Sequence, residues 1–447
     1  MLPIRDLLKP VTNSLEMGTL IPADQAIGTR RAMSRAQIML LILMVSVAVM
    51  SYCDRTLMSL AGPGIMKEFS ISETEMGSIY SAFIFSYSVL MVPWGYLADR
   101  LGARWVLTTM GLGSALFTGL TALGGRPGLG THLGVVPSFA LLRLGMGVFT
   151  SPIFPALARM NANWISIEKR ARTWGFVSAG AGVGGALSPL IFPPMILLIG
   201  WKGAFWVAAG ATVVLTLIWH FSVRDYPTTS VPPSLSKPAS AQEKAPAQLS
   251  LLLRNRSLVA LTLSYFAVGY FQYIFWYWMY YYFGQIRHFS PEQSAVYTSS
   301  LFLAWVISAP LGGWMADRLS HRFGRTLARR FVSMVSLTMS AVLLYFSATL
   351  SSALAVGTVV AFAMGSSLIS DASYWATAID LGGKQVGAAT ALLNTGGNLG
   401  GVLTTILTPY IASYYGWSGG LYFGCFVVLV GVLLWFWVDQ PPARKLP

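Results

Sequence analysis

The chain has 447 residues, 55% of them apolar and only 10% charged, with a mean hydropathy of +0.61. Soluble domains carry about 25% charged residues, so this composition excludes an ordinary water-soluble globule and asks for a bilayer as solvent. The formal net charge of +14 raises nucleic-acid binding, which the placement of the charges then removes.

The first 36 residues are mixed in polarity, with Arg30, Arg31 and Arg35 ahead of the first long apolar run. They read as a cytoplasmic tail leading into a retained helix, not as a cleaved leader. Twelve apolar stretches follow, predicted as spanning helices over 37–62, 76–97, 104–124, 134–159, 173–198, 203–222, 257–283, 294–316, 329–350, 353–380, 386–412 and 417–438; they are called spans 1 to 12. Each approaches the length of about 20 residues that a hydrocarbon core of about 30 Å requires. Most are interrupted by Gly or Pro, which a spanning helix tolerates because its neighbours take up freed backbone groups. Between spans 6 and 7 lies the longest polar stretch, with the centre PTTSVPPSLSKPASAQEKAPAQ. A run so rich in Pro, Ser and Ala cannot pack a core and reads as a flexible linker. The predicted organisation is a cytoplasmic tail over 1–36, a six-helix half over 37–223, a cytoplasmic linker over 224–256, a second six-helix half over 257–438 and a cytoplasmic tail over 439–447.

With the N-terminus inside, 24 of the 30 Lys and Arg fall on the inner side and four (Lys67, Arg126, Lys202 and Arg287) on the outer, leaving Arg55 and Arg143 within spans. This bias fits an even number of spans with both ends cytoplasmic. It also accounts for the basic charge without any nucleic acid. Cys53 and Cys425 sit inside apolar runs, so neither a disulfide framework nor a metal site is indicated. No cofactor is implied either. The Gly-Gly pairs of span 11 have no strand before them and no Lys-Ser/Thr after, so they are no phosphate loop. His132, His220, His288 and His321 lie at span edges or in loops, and no Ser/His, paired-Asp or metal-ligand set suggests an enzyme.

A repeated signature marks the two halves. Pro93-Trp-Gly-Tyr-Leu-Ala-Asp99-Arg100-Leu-Gly-Ala-Arg104, at the end of span 2, is matched by Pro310-Leu-Gly-Gly-Trp-Met-Ala-Asp317-Arg318 at the end of span 8. These residues resemble the loop 2–3 signature of the major facilitator superfamily. Three further motifs are similar, more narrowly, to its anion:cation symporter family. They are Tyr52-Cys53-Asp54-Arg55 followed by Lys67-Glu68-Phe69; Phe154-Pro155-Ala156 followed by Trp164, Glu168 and Arg170-Ala171; and Asn394-Thr-Gly-Gly-Asn398-Leu-Gly-Gly401. Members of the galactonate, glucarate and hexuronate type carry sugar acids and other carboxylates, often with protons. The likeness runs over about 37–438. It implies an all-α membrane protein of twelve helices in two six-helix halves, with a substrate site near the midplane between halves that rock against each other. A monomer in a bacterial inner membrane is the expectation that goes with it.

Ionisable groups deep in a span are costly and mark function. Of 16 carboxylates only Asp54 and Asp371 fall well inside spans, Asp380 lies near an inner end, and the deep cations are Arg55 and Arg143. A guanidinium stays charged and its planar fork matches a carboxylate, which makes Arg143 and Arg55 candidate contacts for a small organic anion. For Arg143 the alternatives are an ion pair with Asp54 or Asp371, or snorkelling to the surface. Asp54 and Arg55 point about 100° apart on a helix, so each needs its own partner. Burial disfavours the charged form of a carboxylate, so Asp54 is a candidate proton carrier, with a permanent ion pair as the other reading. Proteins that the chain resembles carry a proton-coupling Glu seven residues after the Arg of span 4. Here Arg143-Leu-Gly-Met-Gly147-Val-Phe-Thr150-Ser-Pro152 has Thr150, which cannot titrate. Asp371 is then the candidate for the missing carboxylate, against a plainer hydrogen-bonding role. The departure also leaves anion exchange or uniport open, and a non-transporting ligand sensor is the reading from another class.

The resemblance adds Tyr52 to the substrate contacts. On span 7, Gln272, Tyr273 and Trp276 are placed to line a cavity suited to a polyhydroxylated substrate, whereas Tyr280 to Tyr282 fit an interfacial belt. Asn394 and Asn398, one turn apart on span 11, serve either sugar hydroxyls or helix–helix hydrogen bonds. Asp99, Arg100 and Arg104, with Asp317 and Arg318, are a candidate inner gate of breakable charge pairs, with simple topology-setting charges as the other reading. Gly180, Gly182, Gly184 and Gly185 of span 5 are expected at close helix contacts.

Overall fold

The computed structural model describes residues 33–125, 133–227 and 249–439. Most of both predicted tails and the centre of the predicted linker lie outside the described residues. Within them, nine helices are long and apolar enough to cross a membrane. Two of these, Ile167–Ser222 and Val386–Leu434, break at Gly200 (φ 75°, ψ 162°) and Gly416 (φ 69°, ψ 168°), so each is a pair of helices joined by a sharp bend. With Ala103–Thr121, which lies at predicted span 3, and the two bent helices counted as pairs, the described residues hold twelve helical segments in the predicted order.

Local sequence explains where the segments begin. Arg35–Phe69, Glu73–Leu101 and Pro291–Phe323 each open on a capping box, Ser34 with Gln37, Ser72 with Glu75 and Ser290 with Gln293. Each box satisfies two of the backbone N–H groups that a helix start leaves free. Span 1 runs further than the apolar stretch predicts, because helical hydrogen bonding continues through Lys67 and Glu68 to a left-handed cap at Ser70.

The internal repeat is also a repeat of geometry. Gly102 (φ 90°) turns the chain from span 2 into span 3, and Gly324 (φ 81°) does so from span 8 into span 9. Span 4 is broken into Val135–Thr150 and Ile153–Trp164, and span 10 into Ala353–Ile369 and Asp371–Gly382. Small residues let the helices approach closely. Gly180 and Gly184 face the backbone of Val45 and Val49 in span 1, and Gly182 and Gly185 face Val306 and Phe302 in span 8. Gly397 and Gly400 of span 11 lie against Tyr265 and Phe266 of span 7. The end of the bundle where span 1 starts exposes Arg100, Arg318, Arg322 and Arg325 and is called the basic face; the other end is the far face.

Candidate anion site between the halves

Arg55 lies near the middle of span 1 and faces the second half of the chain. Its Nη2 donates to the Tyr273 hydroxyl at 2.8 Å. The rings of Tyr52, Phe83, Tyr87 and Tyr273 surround its guanidinium, with centroids 5.6, 5.3, 5.4 and 5.5 Å from Cζ. Tyr273 donates in turn to Asn398 Oδ1 at 2.6 Å, and Asn398 Nδ2 donates to the Asn394 carbonyl at 2.9 Å. One hydrogen-bonded chain therefore joins spans 1, 7 and 11. Arg55 lines a narrow cavity with Tyr52, Thr56, Trp276, Tyr277 and Phe302.

Arg143 stands behind that cavity and is fully buried, 0% exposed. Its guanidinium lies 4.8 Å from the centre of the Phe83 ring, so one aromatic ring serves both arginines. Its Nη1 meets Met146 Sδ, while Nε and Nη2 have no partner. The ion pair with Asp54 or Asp371 is not formed, and complete burial rules out snorkelling in this state. Burying a charge without a counter-ion costs several kcal/mol, about what a bound anion would recover.

Asp54 points away from Arg55, as adjacent helical positions must, into the first half. It accepts from Thr212 Oγ1 at 2.7 Å, and its Oδ1 has no partner. Ser51, Ser114, Thr216 and Trp219 line the small cavity around it. Asp371 opens the second piece of span 10 and is half-buried; Gln272 Nε2 donates weakly to it at 3.4 Å and to Ser367 at 3.5 Å. Thr150 returns its hydroxyl to the Met146 carbonyl of its own helix at 2.8 Å. Asn394 Nδ2 reaches Met91 Sδ on span 2. The structure thus brings Tyr52, Arg55, Tyr273, Trp276 and Asn398 together, sets Arg143 just behind them, and holds the two carboxylates apart.

A family model of the Major Facilitator Superfamily matches residues 44–385 and 328–447. The chain belongs to the Major Facilitator Superfamily. That places it among transporters rather than enzymes. It is 27% identical to a probable sulfoacetate transporter of Cupriavidus necator over 83% of this chain and 86% of that protein. It is 26% identical to a hexuronate transporter of Bacillus subtilis (87% and 91%) and 27% identical to a D-galactonate transporter of Escherichia coli (89% and 94%). The major facilitator fold itself is shared with a bacterial homologue of the human lysosomal transporter Spinster, at a TM-score of 0.76 and 14% identity, over 92% of this chain and all of that one.

The far face is joined across the halves. Glu73 of span 2 accepts from the Tyr281 hydroxyl at 2.5 Å and from Trp417 Nε1 at 3.3 Å. Below it the Tyr80 ring packs on Tyr277 and Trp278, at 5.2 and 5.4 Å. At the basic face no bridge between the halves is formed by the expected gate residues whose side chains are described. Arg104 donates through Nε and Nη2 to the His220 carbonyl at 3.0 and 2.7 Å, Arg100 lies 4.3 Å over Tyr96, and Asp317 and Arg318 are exposed. The side chain of Asp99 lies outside the described ones.

Sequence reasoning missed Phe83, Tyr87 and Trp305, which complete the aromatic wall; Trp305 lies 5.5 Å from Tyr52 and 5.7 Å from Trp276. Phe83 and Tyr87 are one helical turn apart on span 2, a spacing that was available as a signal. In a span rich in aromatics, that spacing alone does not separate a cavity face from a lipid face.

Proposed function

We propose that the chain takes up a small organic anion, a sugar acid or other carboxylate, together with protons, by rocking of its two halves. The observation that carries this is Arg143, buried with two unpartnered N–H groups behind an Arg55 that has no carboxylate partner. The transporters of sulfoacetate, hexuronate and galactonate among its relatives support an acidic substrate. Tyr52, Gln272, Tyr273, Trp276, Asn394 and Asn398 would complete the substrate site, and Asp54 and Asp371 are the groups available to hold protons. Asp99, Arg100 and Arg104, with Asp317 and Arg318, would close the basic face when the far face opens. The basic face would be cytoplasmic and the membrane a bacterial inner membrane, with the protein working as a monomer.

The test is thermal stability in detergent across carboxylates, sugar acids and sugar phosphates, for wild type, Arg143→Ala and Arg55→Ala. A ligand at about 100 times its Kd adds roughly 2.7 kcal/mol. Stabilisation by one class of anion, lost in both variants, is the expected result; stabilisation by neutral or cationic solutes alone would sink the anion reading. Thr150 in place of a titratable residue supports a second reading, exchange or uniport without protons. Substrate counterflow that ignores an imposed pH gradient would select it.

A further inference from the structure

The cavity beside Arg55 contains two buried donors that the protein leaves unused. Tyr277 is 2% exposed and its hydroxyl has no partner; Trp276 Nε1 has none either. Both residues line the same cavity as Arg55. An indole N–H can only donate, so only an acceptor brought into the pocket can satisfy it. The Tyr277 ring stacks at 5.9 Å on Tyr273, the residue whose hydroxyl accepts from Arg55. A phenol beside the Arg55 guanidinium can turn its proton toward an anion that the cation attracts.

The rest of the lining limits what that anion carries. Tyr52, Thr56 and Phe302 complete it, so among the described residues the lining holds neither an amide nor a carboxylate. The amides nearby are committed elsewhere: Asn398 accepts from Tyr273 and donates to Asn394, and Gln272 donates to Ser367 and Asp371. A polyhydroxylated substrate brings several O–H donors, and the lining offers them only the hydroxyl oxygens of Tyr52, Thr56 and Tyr277, of which Thr56 is already bonded to Ser188, a poorer match than amides and carboxylates would give. The walls instead offer ring faces, with Trp276 packed 4.7 Å from Tyr273 and 5.7 Å from Trp305. Such faces suit a flat ring or a short apolar stem.

We propose that Tyr277 and Trp276 complete, with Arg55, a three-donor head-group site that takes a compact carboxylate or sulfonate on an aromatic or short apolar body in preference to a polyhydroxylated acid. This rests on the anion reading and narrows it. The experiment uses the full-length protein in detergent, with dissociation constants from thermal shifts for benzoate, ethanesulfonate and gluconate. Benzoate or ethanesulfonate is expected to bind at least tenfold more tightly than gluconate. Tyr277→Phe and Trp276→Phe should each weaken the tighter ligand at least tenfold without moving the unliganded melting temperature. Tighter gluconate binding would overturn the substrate class. Unchanged affinity in both variants would overturn the donor roles. Should Tyr277→Phe melt early, Trp276→Phe decides alone, since its ring still packs on Trp305. If no anion stabilises wild type, the anion reading itself falls, a result separable from either failure above.

Discussion

The two halves repeat a backbone and divide the chemistry. Gly102 and Gly324, Gly200 and Gly416, and the broken spans 4 and 10 occupy matching places. Among the described residues, however, the buried cations come from the first half, as Arg55 and Arg143, and what meets Arg55 from the second half is a neutral hydroxyl, Tyr273. The far face shows the same division: the charge is Glu73, and its donors Tyr281 and Trp417 are neutral. Asp371 is the exception. It stands just after the break in span 10, where the break in span 4 is followed by Ile153 with Thr150 before it. Packing holds both halves to one backbone, while a substrate bonded to charge on one side and to neutral groups on the other, as proposed above, would couple its binding to their relative position.

The largest expected effect breaks that division directly. Arg55→Ala removes a buried charged hydrogen-bonding group, a change that costs about 2–5 kcal/mol in comparable interfaces. Affinity for the anion should fall roughly thirtyfold to several-thousandfold. Gln272→Ala, on the neutral side, should cost about tenfold or less. Equal losses in a binding titration would show that the two halves share the anion evenly.

Next in size is the carboxylate. Asp371→Asn should abolish accumulation driven by a pH gradient while sparing substrate counterflow in proteoliposomes. If the two broken spans are interchangeable, adding Thr150→Glu to Asp371→Asn should restore part of that accumulation. Accumulation untouched by Asp371→Asn but lost in Asp54→Asn would assign coupling to the first half alone.

A smaller test addresses the backbone. Gly200 and Gly416 hold φ near +70° with extended ψ, a region almost closed to other residues, and a Cβ at either would meet nothing within 4 Å. Alanine there should therefore cost only torsional strain, about 1–3 kcal/mol at each site. Matching drops in melting temperature would support a true duplication; a drop at one site alone would mean that the bends differ in what they bear.

Much of this was legible in the sequence. Composition and span periodicity gave the membrane, the duplicated Asp-Arg signature gave the halves, and the rule that buried charge marks function singled out Arg55, Arg143, Asp54 and Asp371. What was not legible is direction. Adjacent residues on span 1 were bound to diverge, but only the packing shows that Arg55 takes the interface and Asp54 the interior of its own half. Tyr281 reads as interfacial belt in sequence because the belt and a cross-half contact need the same residue type at the same depth. The charges at the basic face read as a gate, yet a gate is paired only in one state of the cycle, and here Arg104 bonds within its own half.

The smallest effect concerns that cycle. Tyr281 and Trp417 donate to the same Glu73 oxygen, so removing the phenol leaves the indole bond, and the carboxylate keeps part of its hold on the second half. Tyr281→Phe should then shift the balance toward opening of the far face by about 1 kcal/mol, the net worth of one hydrogen bond, or roughly fivefold in population. Glu73→Gln removes the charge that strengthens both bonds and should shift it further. The readout is the labelling rate of a cysteine in place of Ser81, which is buried two turns below Glu73 on the same helix and is close to cysteine in size. Labelling that rises in the order wild type, Tyr281→Phe, Glu73→Gln would establish that charge from one half and neutral donors from the other also set which face is closed. Labelling unchanged in both variants would confine that division to the substrate site.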